Sequence, residues 1–419
     1  MTLNQLQFIW RIFIKTMDNY KKSNIGKLNK IFTLLMITFP ILALYATPFS
    51  GISVADLLLI SIQPILIIHL FRINNKINKT IHFSILFYAL YISIHFLITV
   101  LTVNNMEAMD IFLNTSRYIF YLITLAIYTK TFFHIKFAKT VLKHFTIFAS
   151  IYLIIQFFLY SLYGYYLPGT IPFLDLQVNT INEIYSRYNQ GYYIRVHSIF
   201  AEPSHFTIYV LPYLIICLSE VKYKLPEYIP AILISIAILM SQSSTGIIMA
   251  GVIWIIWYLY RIIDKGISKK KSIFIVLSIL FIPVVLLFIT RTNSFDFFID
   301  RTFSSGSLGE AGYRRLGNGV ILHEIFKNSS LYLLFGQGMV NLQTYIPGAT
   351  RLFVYFGISG VVLLLAIFTK IYYSGNRIQK EILIIFVILN FGTEILFGNF
   401  IFLYLPFLLL HDQKSIERG

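Results

Sequence analysis

Cysteine is nearly missing from this sequence: Cys217 is the only one in 419 residues. A single thiol excludes a disulfide framework and a cysteine-built metal cluster. Charge is scarce as well. Asp, Glu, Lys and Arg make up 12% of the chain, against about 25% in soluble domains, too little to cover a water-exposed globule. Acid is scarcer than base, with 18 Asp and Glu against 34 Lys and Arg and a net charge of +16. Familiar chemical motifs are missing too. There is no glycine-rich phosphate loop before a lysine, no pair of histidines at metal-ligand spacing and no Gly-x-Ser-x-Gly elbow. Nor is there an Asp-x-Asp pair to hold a divalent metal beside a nucleotide-sugar donor. No metal and no cofactor is therefore expected.

What the chain has in abundance is apolar length. Hydrophobic residues reach 57% and the mean hydropathy is +0.73. Runs near the roughly 20 residues that cross a bilayer recur from 31 to 410. They predict an all-α polytopic membrane protein of about 12 transmembrane helices. The spans are expected at about 31–49, 53–71, 81–101, 111–129, 144–163, 203–219, 228–242, 245–262, 272–290, 350–369, 380–392 and 399–410. The expected order is a basic N-terminus (1–30), five spans (31–163), a first large loop (164–202), four spans (203–290), a second large loop (291–349), three spans (350–410) and a tail (411–419). No cleavable signal is expected: residues 1–30 lack a long apolar core, so the first span would insert and stay. No internal repeat is visible.

Charge sorts the loops. Residues 1–30 carry six Lys/Arg, 72–80 three, 130–143 four and 261–271 five, whereas 50–52, 102–110 and 242–245 carry none. The positive-inside bias then puts both termini in the cytoplasm and both large loops outside. The same sorting accounts for the net charge: 25 of the 34 basic residues fall on the cytoplasmic side. They suit topology and contact with anionic lipid, and no nucleic-acid motif accompanies them. The apolar stretch 381–410 is long for one span and short for two; Gly392, Glu394, Gly398 and Asn399 in its middle favour two short helices with a tight outer turn.

The two outer segments hold the candidate chemistry. The first is rich in tyrosine (Tyr163, Tyr165, Tyr166, Tyr185, Tyr188, Tyr192, Tyr193) and ends in Arg195, His197, Glu202, Pro203 and His205. The tyrosines suit an interfacial belt or a platform for sugar rings. Arg195 and Glu202 suit a structural ion pair, or a cation and a proton acceptor. Glu202 and Pro203 also fit the start of a helix. The second segment sets Arg291, Arg301, Arg314, Arg315, Lys327 and Arg351 against Asp296, Asp300, Glu310 and Glu324. Arginine's planar fork matches phosphate oxygens. The pattern from Glu310 to Lys327 reads as an amphipathic helix carrying Arg314, Arg315 and His323, and Leu333–Gly338 as a turn. Within the spans, Asp56, Arg117 and Glu394 lie near outer ends, with Arg117 placed to pair with Asp56 or to reach outward. Small residues at Ser241–Gly246 favour close helix packing.

Arg195-Val-His197-Ser-Ile-Phe-Ala-Glu202-Pro203-Ser204 resembles the segment before the mid-chain span of O-antigen polymerases of the Wzy type. Arg314-Arg315, then Leu334-Phe335-Gly336-Gln337-Gly338 and Phe356-Gly357-Ile358-Ser359-Gly360, resemble the second half of the same superfamily, which also holds O-antigen ligases. The resemblance implies a metal-independent, membrane-embedded glycosyltransferase of the GT-C type. It would join undecaprenyl-pyrophosphate-linked repeat units on the periplasmic side of the bacterial inner membrane, after delivery by a flippase and alongside a chain-length regulator. It implies functional arginines in the outer loops, carried over as Arg195 and as Arg314 or Arg315. On that footing Arg195, Arg301, Arg314 and Arg315 are expected to bind the pyrophosphate, a desolvated Glu202 (with His323 and His205 behind it) to accept the proton, and Tyr192, Tyr193 and His205 to contact sugars. Arg301 to Gly312 reproduces the Arg-then-Gly spacing of such loops; the first loop does not. Absence of histidine from Met339–Tyr345 favours polymerase over ligase. A capsule or exopolysaccharide polymerase and, from another class, a lipid-oligosaccharide flippase are the alternatives. Charges gathered in loops rather than spans count against the flippase.

Overall fold

The computed structural model describes residues 26–49, 51–72, 82–102, 105–171, 173–177, 195–221, 225–265, 330–340 and 346–410. Among these residues the structure is helical, with two isolated bridges in place of any strand. The helices are α1 (Lys27–Leu42), α2 (Val54–Arg72), α3 (Phe83–Thr102), α4 (Asn105–Phe132), α5 (Ile135–Tyr163), α6 (Pro203–Glu220), α7 (Leu225–Met240), α8 (Ser244–Lys265), α9 (Ser330–Phe335), α10 (Gly348–Ser374), α11 (Arg377–Asn390) and α12 (Ile401–Leu409). Among the described residues, five stretches are long and apolar enough to cross a membrane: Val54–Phe71, Phe83–Val100, Ile111–Phe132, Ile135–Tyr163 and Gly348–Ser374. Their outward faces are apolar. On α2 these include Ile60, Ile65, Ile68 and Phe71, and on α3 Phe87, Leu90, Leu97 and Ile98, all more than half exposed. Apolar patches of that extent do not persist against water; they are the exterior of a membrane-embedded bundle.

Inside, aromatics fill the space between helices. Phe39 of α1 meets Tyr121 of α4 and Phe402 of α12, with ring centroids 5.6 and 4.0 Å away. Tyr404 of α12 stacks near Phe386 of α11 and donates its hydroxyl to the Ile208 carbonyl of α6 at 2.8 Å. A buried hydroxyl in an apolar bundle needs such a partner, so α6, α11 and α12 are keyed together. Gly246 lets α8 approach α6: a Cβ there would lie 2.3 Å from Thr207 Cγ2. That is the close packing expected of the Ser241–Gly246 stretch.

Helix ends depart from the expected spans where local chemistry intervenes. The first helix stops at Leu42 rather than near 49, because the chain turns and Tyr45 and Ala46 bridge to Leu176 and Ser53. The basic stretch 130–143 is mostly helix rather than loop. His134 alone caps α5, its Nδ1 accepting from Phe137 N–H at 3.2 Å, so Lys136, Lys139 and Lys143 ride on the first turns. Residues 381–410 form two helices, α11 and α12, joined through 391–400. Leu333–Gly338 is the end of a short helix, α9, followed by irregular Gly336–Gly338. The expected span 272–290 and the expected helix Glu310–Lys327 lie outside the described residues.

Candidate functional site

Hydrogen bonds sort the connections into two ends. At one end, Ala46 N–H donates to Asp175 O, Ile171 N–H to the Tyr45 hydroxyl, Gly348 N–H to Thr393 O, and Arg195 Nη1 to Gln242 O at 3.5 Å. This end therefore collects residues 43–49, 51–53, 164–171, 173–177, 195–202, 241–243 and 391–400. Every described residue with positive φ lies in or beside these connections or where α10 breaks: Phe173, Ser198, Gln242, Gly51, Gly164, Gly336, Gly338 and Gly357. Left-handed backbone in non-glycine residues is costly and persists only where the surroundings over-determine it.

At Ser198 the determinants are explicit. Gln156 of α5 accepts the Ser198 N–H at 2.7 Å with Oε1, and Nε2 donates to Leu167 O at 2.8 Å and Ser198 O at 3.3 Å. Ser198 Oγ donates to Ala149 O at 2.7 Å. Gly169 lies so close that a Cβ would fall 1.7 Å from Ser198 O. One amide side chain thus fastens both ends of the first large loop to α5. His197 beside it is buried and bonded through Nε2 to the Tyr166 hydroxyl. Burial pushes its pKa down to about 4, so the ring is neutral at ordinary pH.

The loop then delivers Glu202 as the extended N-cap residue of α6, with Pro203 in the first turn. Its carboxylate does not cap the backbone but accepts from Ser204 Oγ at 3.0 Å. His205, one turn in, packs its ring on Phe400 at 5.5 Å between centroids. Across from Glu202 stands an ion pair: Arg351 Nη1 of α10 lies 2.6 Å from Glu394 Oε2 in the link between α11 and α12. The Arg351 guanidinium also lies over the Tyr355 ring, 5.9 Å from its centroid. Burial raises the Glu394 carboxyl above its ordinary value, Arg351 opposes the rise, and the Glu202 charge adds to it. Glu202, expected as the desolvated proton acceptor, is exposed, whereas Glu394 is half-buried and burial raises its carboxyl.

A second irregular feature adjoins the ion pair. α10 is interrupted at Gly357, with φ 61° and ψ −162°. The break frees carbonyls that Gly336–Gly338 reach: Gln337 N–H donates to Val354 O at 2.8 Å and Gly338 N–H to Tyr355 O at 2.9 Å. Side chains would prevent this approach, since a Cβ on Gly336 would lie 2.4 Å from Tyr355 C and one on Gly357 2.5 Å from Leu334 O. Backbone that leaves a helix at membrane depth must find such partners.

Of the expected site residues, the structure brings Arg195, Glu202 and His205 to one end, and it adds Glu394, a charge near a span end, and Arg351, one of the second segment's arginines. Tyr192, Tyr193, Arg301, Arg314, Arg315 and His323 lie outside the described residues. The tyrosines divide: Tyr163 and Tyr165 are exposed, as in an interfacial belt, whereas Tyr166 turns inward to His197. Asp56 and Arg117 pair at 2.5 Å between α2 and α4. No group of three or more metal-ligating side chains occurs among the described residues. Chemically, the arrangement offers a guanidinium for an anion and two carboxylates of different exposure for a proton. No protein-family model matches the chain, and no curated protein matches it.

Proposed function

We propose that this chain polymerises lipid-pyrophosphate-linked oligosaccharide units into a surface polysaccharide on the outer face of the bacterial cytoplasmic membrane. In this reading both termini are cytoplasmic and the irregular end of the bundle faces the periplasm. The observation that carries it is the assembly of Arg195, Glu202, His205, Arg351 and Glu394 at the end of an apolar bundle where the strained backbone collects. A lipid-borne diphosphate lies in the bilayer with its charge at that level.

Arg195, joined by Arg301, Arg314 and Arg315 from the second loop, would hold the diphosphate and neutralise the charge that grows as it leaves. An acidic or imidazole side chain at this end would accept the proton of the attacking hydroxyl, Glu202 and His323 being the candidates that the sequence offers. Tyr192, Tyr193 and His205 would grip sugar rings. A flippase would supply the units, and a chain-length regulator would act on the product.

The test is deletion of the gene in its native host, followed by gel analysis of surface polysaccharide. One repeat unit on the core is expected. A bare core would mean ligation, and precursor held on the cytoplasmic face would mean transport. Complementation with Arg195→Ala should leave the single-unit pattern while the protein still inserts, a loss of at least about 100-fold in long chains. A normal ladder from that variant would remove Arg195 from the machinery.

A further inference from the structure

Two ion pairs stand at the irregular end, and they are built differently. In the first, Arg117 spends every part of its fork: Nη2 on Asp56 at 2.5 Å, Nε on the Tyr121 hydroxyl at 2.7 Å and Nη1 on Gly51 O at 3.5 Å. Asp56 is equally occupied, accepting from Ser53 N–H at 3.0 Å and Ser53 Oγ at 2.7 Å as well as from Tyr121. Such a pair is saturated, and it locks α2 to α4. In the second, Arg351 holds Glu394 through Nη1, while its Nε is enclosed and has no hydrogen-bond partner among the described residues. Buried donors are ordinarily satisfied, and an exception points to an absent acceptor.

The scaffold around the second pair is rigid. Gly348 N–H donates to Thr393 O at 2.8 Å, Leu396 N–H to Asn390 Oδ1 at 3.1 Å, and Thr393 Oγ1 to Leu389 O at 2.7 Å. A Cβ on Gly348 would lie 2.6 Å from Asn390 Oδ1. The first turn of α10 is therefore clamped to the link that carries Glu394. The charged and titratable groups facing Glu394 are Arg351 and Tyr355 from α10 and Glu202 from the start of α6.

We propose that Glu394 is the proton acceptor for the incoming sugar hydroxyl, and that Arg351 passes from Glu394 to the donor's diphosphate when the donor binds. This rests on the glycosyl-transfer reading given above. The acceptor hydroxyl oxygen forms the new bond to the donor's anomeric carbon, and its proton goes to the Glu394 carboxylate. The bond from that carbon to the diphosphate oxygen breaks, and the electron pair leaves with the lipid diphosphate. Arg351 has the free donor that a phosphate oxygen needs. Once its guanidinium turns to the diphosphate, Glu394 loses the influence that opposes the effect of burial and becomes the stronger base. Two carboxylates in different surroundings divide the labour: Glu394 takes the proton, and the charge of exposed Glu202 raises its affinity for it.

The test uses the deletion strain complemented with wild-type protein, Glu394→Gln, Glu394→Asp and the paired variant Arg351→Gln/Glu394→Gln, each followed for membrane level, surface polysaccharide and polymerisation in membrane vesicles across pH. Glu394→Gln should lose about 100-fold or more of long-chain product. Glu394→Asp should keep a ladder, with the acid limb of its pH profile displaced. The paired variant, which leaves no unpaired charge behind, decides the matter if Glu394→Gln fails to accumulate. A full ladder from either Gln-bearing variant would overturn the assignment while the polymerase reading stands. A deletion strain with unchanged polysaccharide would remove that reading, and this inference with it.

Discussion

The two ends of the bundle are closed by different chemistry. At the end opposite the candidate site, closure is ordinary. Asn376 and Gln379 form a reciprocal capping box on α11, and Gln379 Nε2 donates to Leu410 O at 2.5 Å as well as to Phe407 and Leu408 carbonyls. Thr33 Oγ1 takes the His134 N–H at 2.9 Å. Charges there are paired simply: Lys139 meets Glu220 at 2.5 Å on the surface, and Arg377 meets buried Glu381 one turn along the same helix. No described residue at that end has positive φ. The candidate end has left-handed residues, a broken helix and a neutral buried histidine. An end that only had to close the bundle would look like the first. The cost of the second is what a binding and proton-transfer site requires.

Breaking the saturated pair at the candidate end should have the largest effect on stability. Asp56→Ala strands the Arg117 guanidinium and frees Ser53 and Tyr121, and should cost about 3–5 kcal/mol in thermal unfolding of the detergent-solubilised protein. A loss near zero would mean that the pair forms no lock between α2 and α4.

Acid should act next, and through His197. Its folded pKa of about 4 lies below the unfolded value of about 6.5. The unfolded chain therefore binds the extra proton first as pH falls. Stability from this group is fully present above about pH 6.5, declines toward pH 4 and is constant below, a loss of about 3 kcal/mol in all. Unfolding curves of His197→Gln should lack that decline, and an unchanged slope would assign the acid sensitivity elsewhere.

The smallest effect should come from the opposite end. Lys139→Ala removes a pair whose side chains are 28% and 53% exposed. Exposed pairs contribute about 0.5 kcal/mol or less, and the same unfolding assay should barely register the change. A loss comparable to that of Asp56→Ala would erase the difference between the ends.

Much of this was legible in sequence, for reasons that apply residue by residue. Pro203 after Glu202 reads as a helix start because proline lacks the N–H that a first turn leaves unused, and α6 begins there. Gly392 to Asn399 reads as a break, and α11 and α12 part there. Arg117 and Asp56 read as partners because an unpaired charge at membrane depth is costly, and they pair. The bond from His134 N–H to Thr33 Oγ1, which ties the start of α5 to α1, was not legible, since the two residues lie 101 positions apart.

Sequence by itself determined the class of the molecule: scarce charge and recurring apolar runs leave a helical membrane bundle as the arrangement that satisfies its backbone. It also marked which stretches are polar enough to carry chemistry. Only the tertiary structure decided which carboxylate is desolvated. Burial depends on what packs around a side chain, and the partners of Glu394 come from α10 and from the start of α6, far along the chain. Spacing along one strand of sequence does not encode that meeting; the clamp between Gly348 and Thr393 makes it.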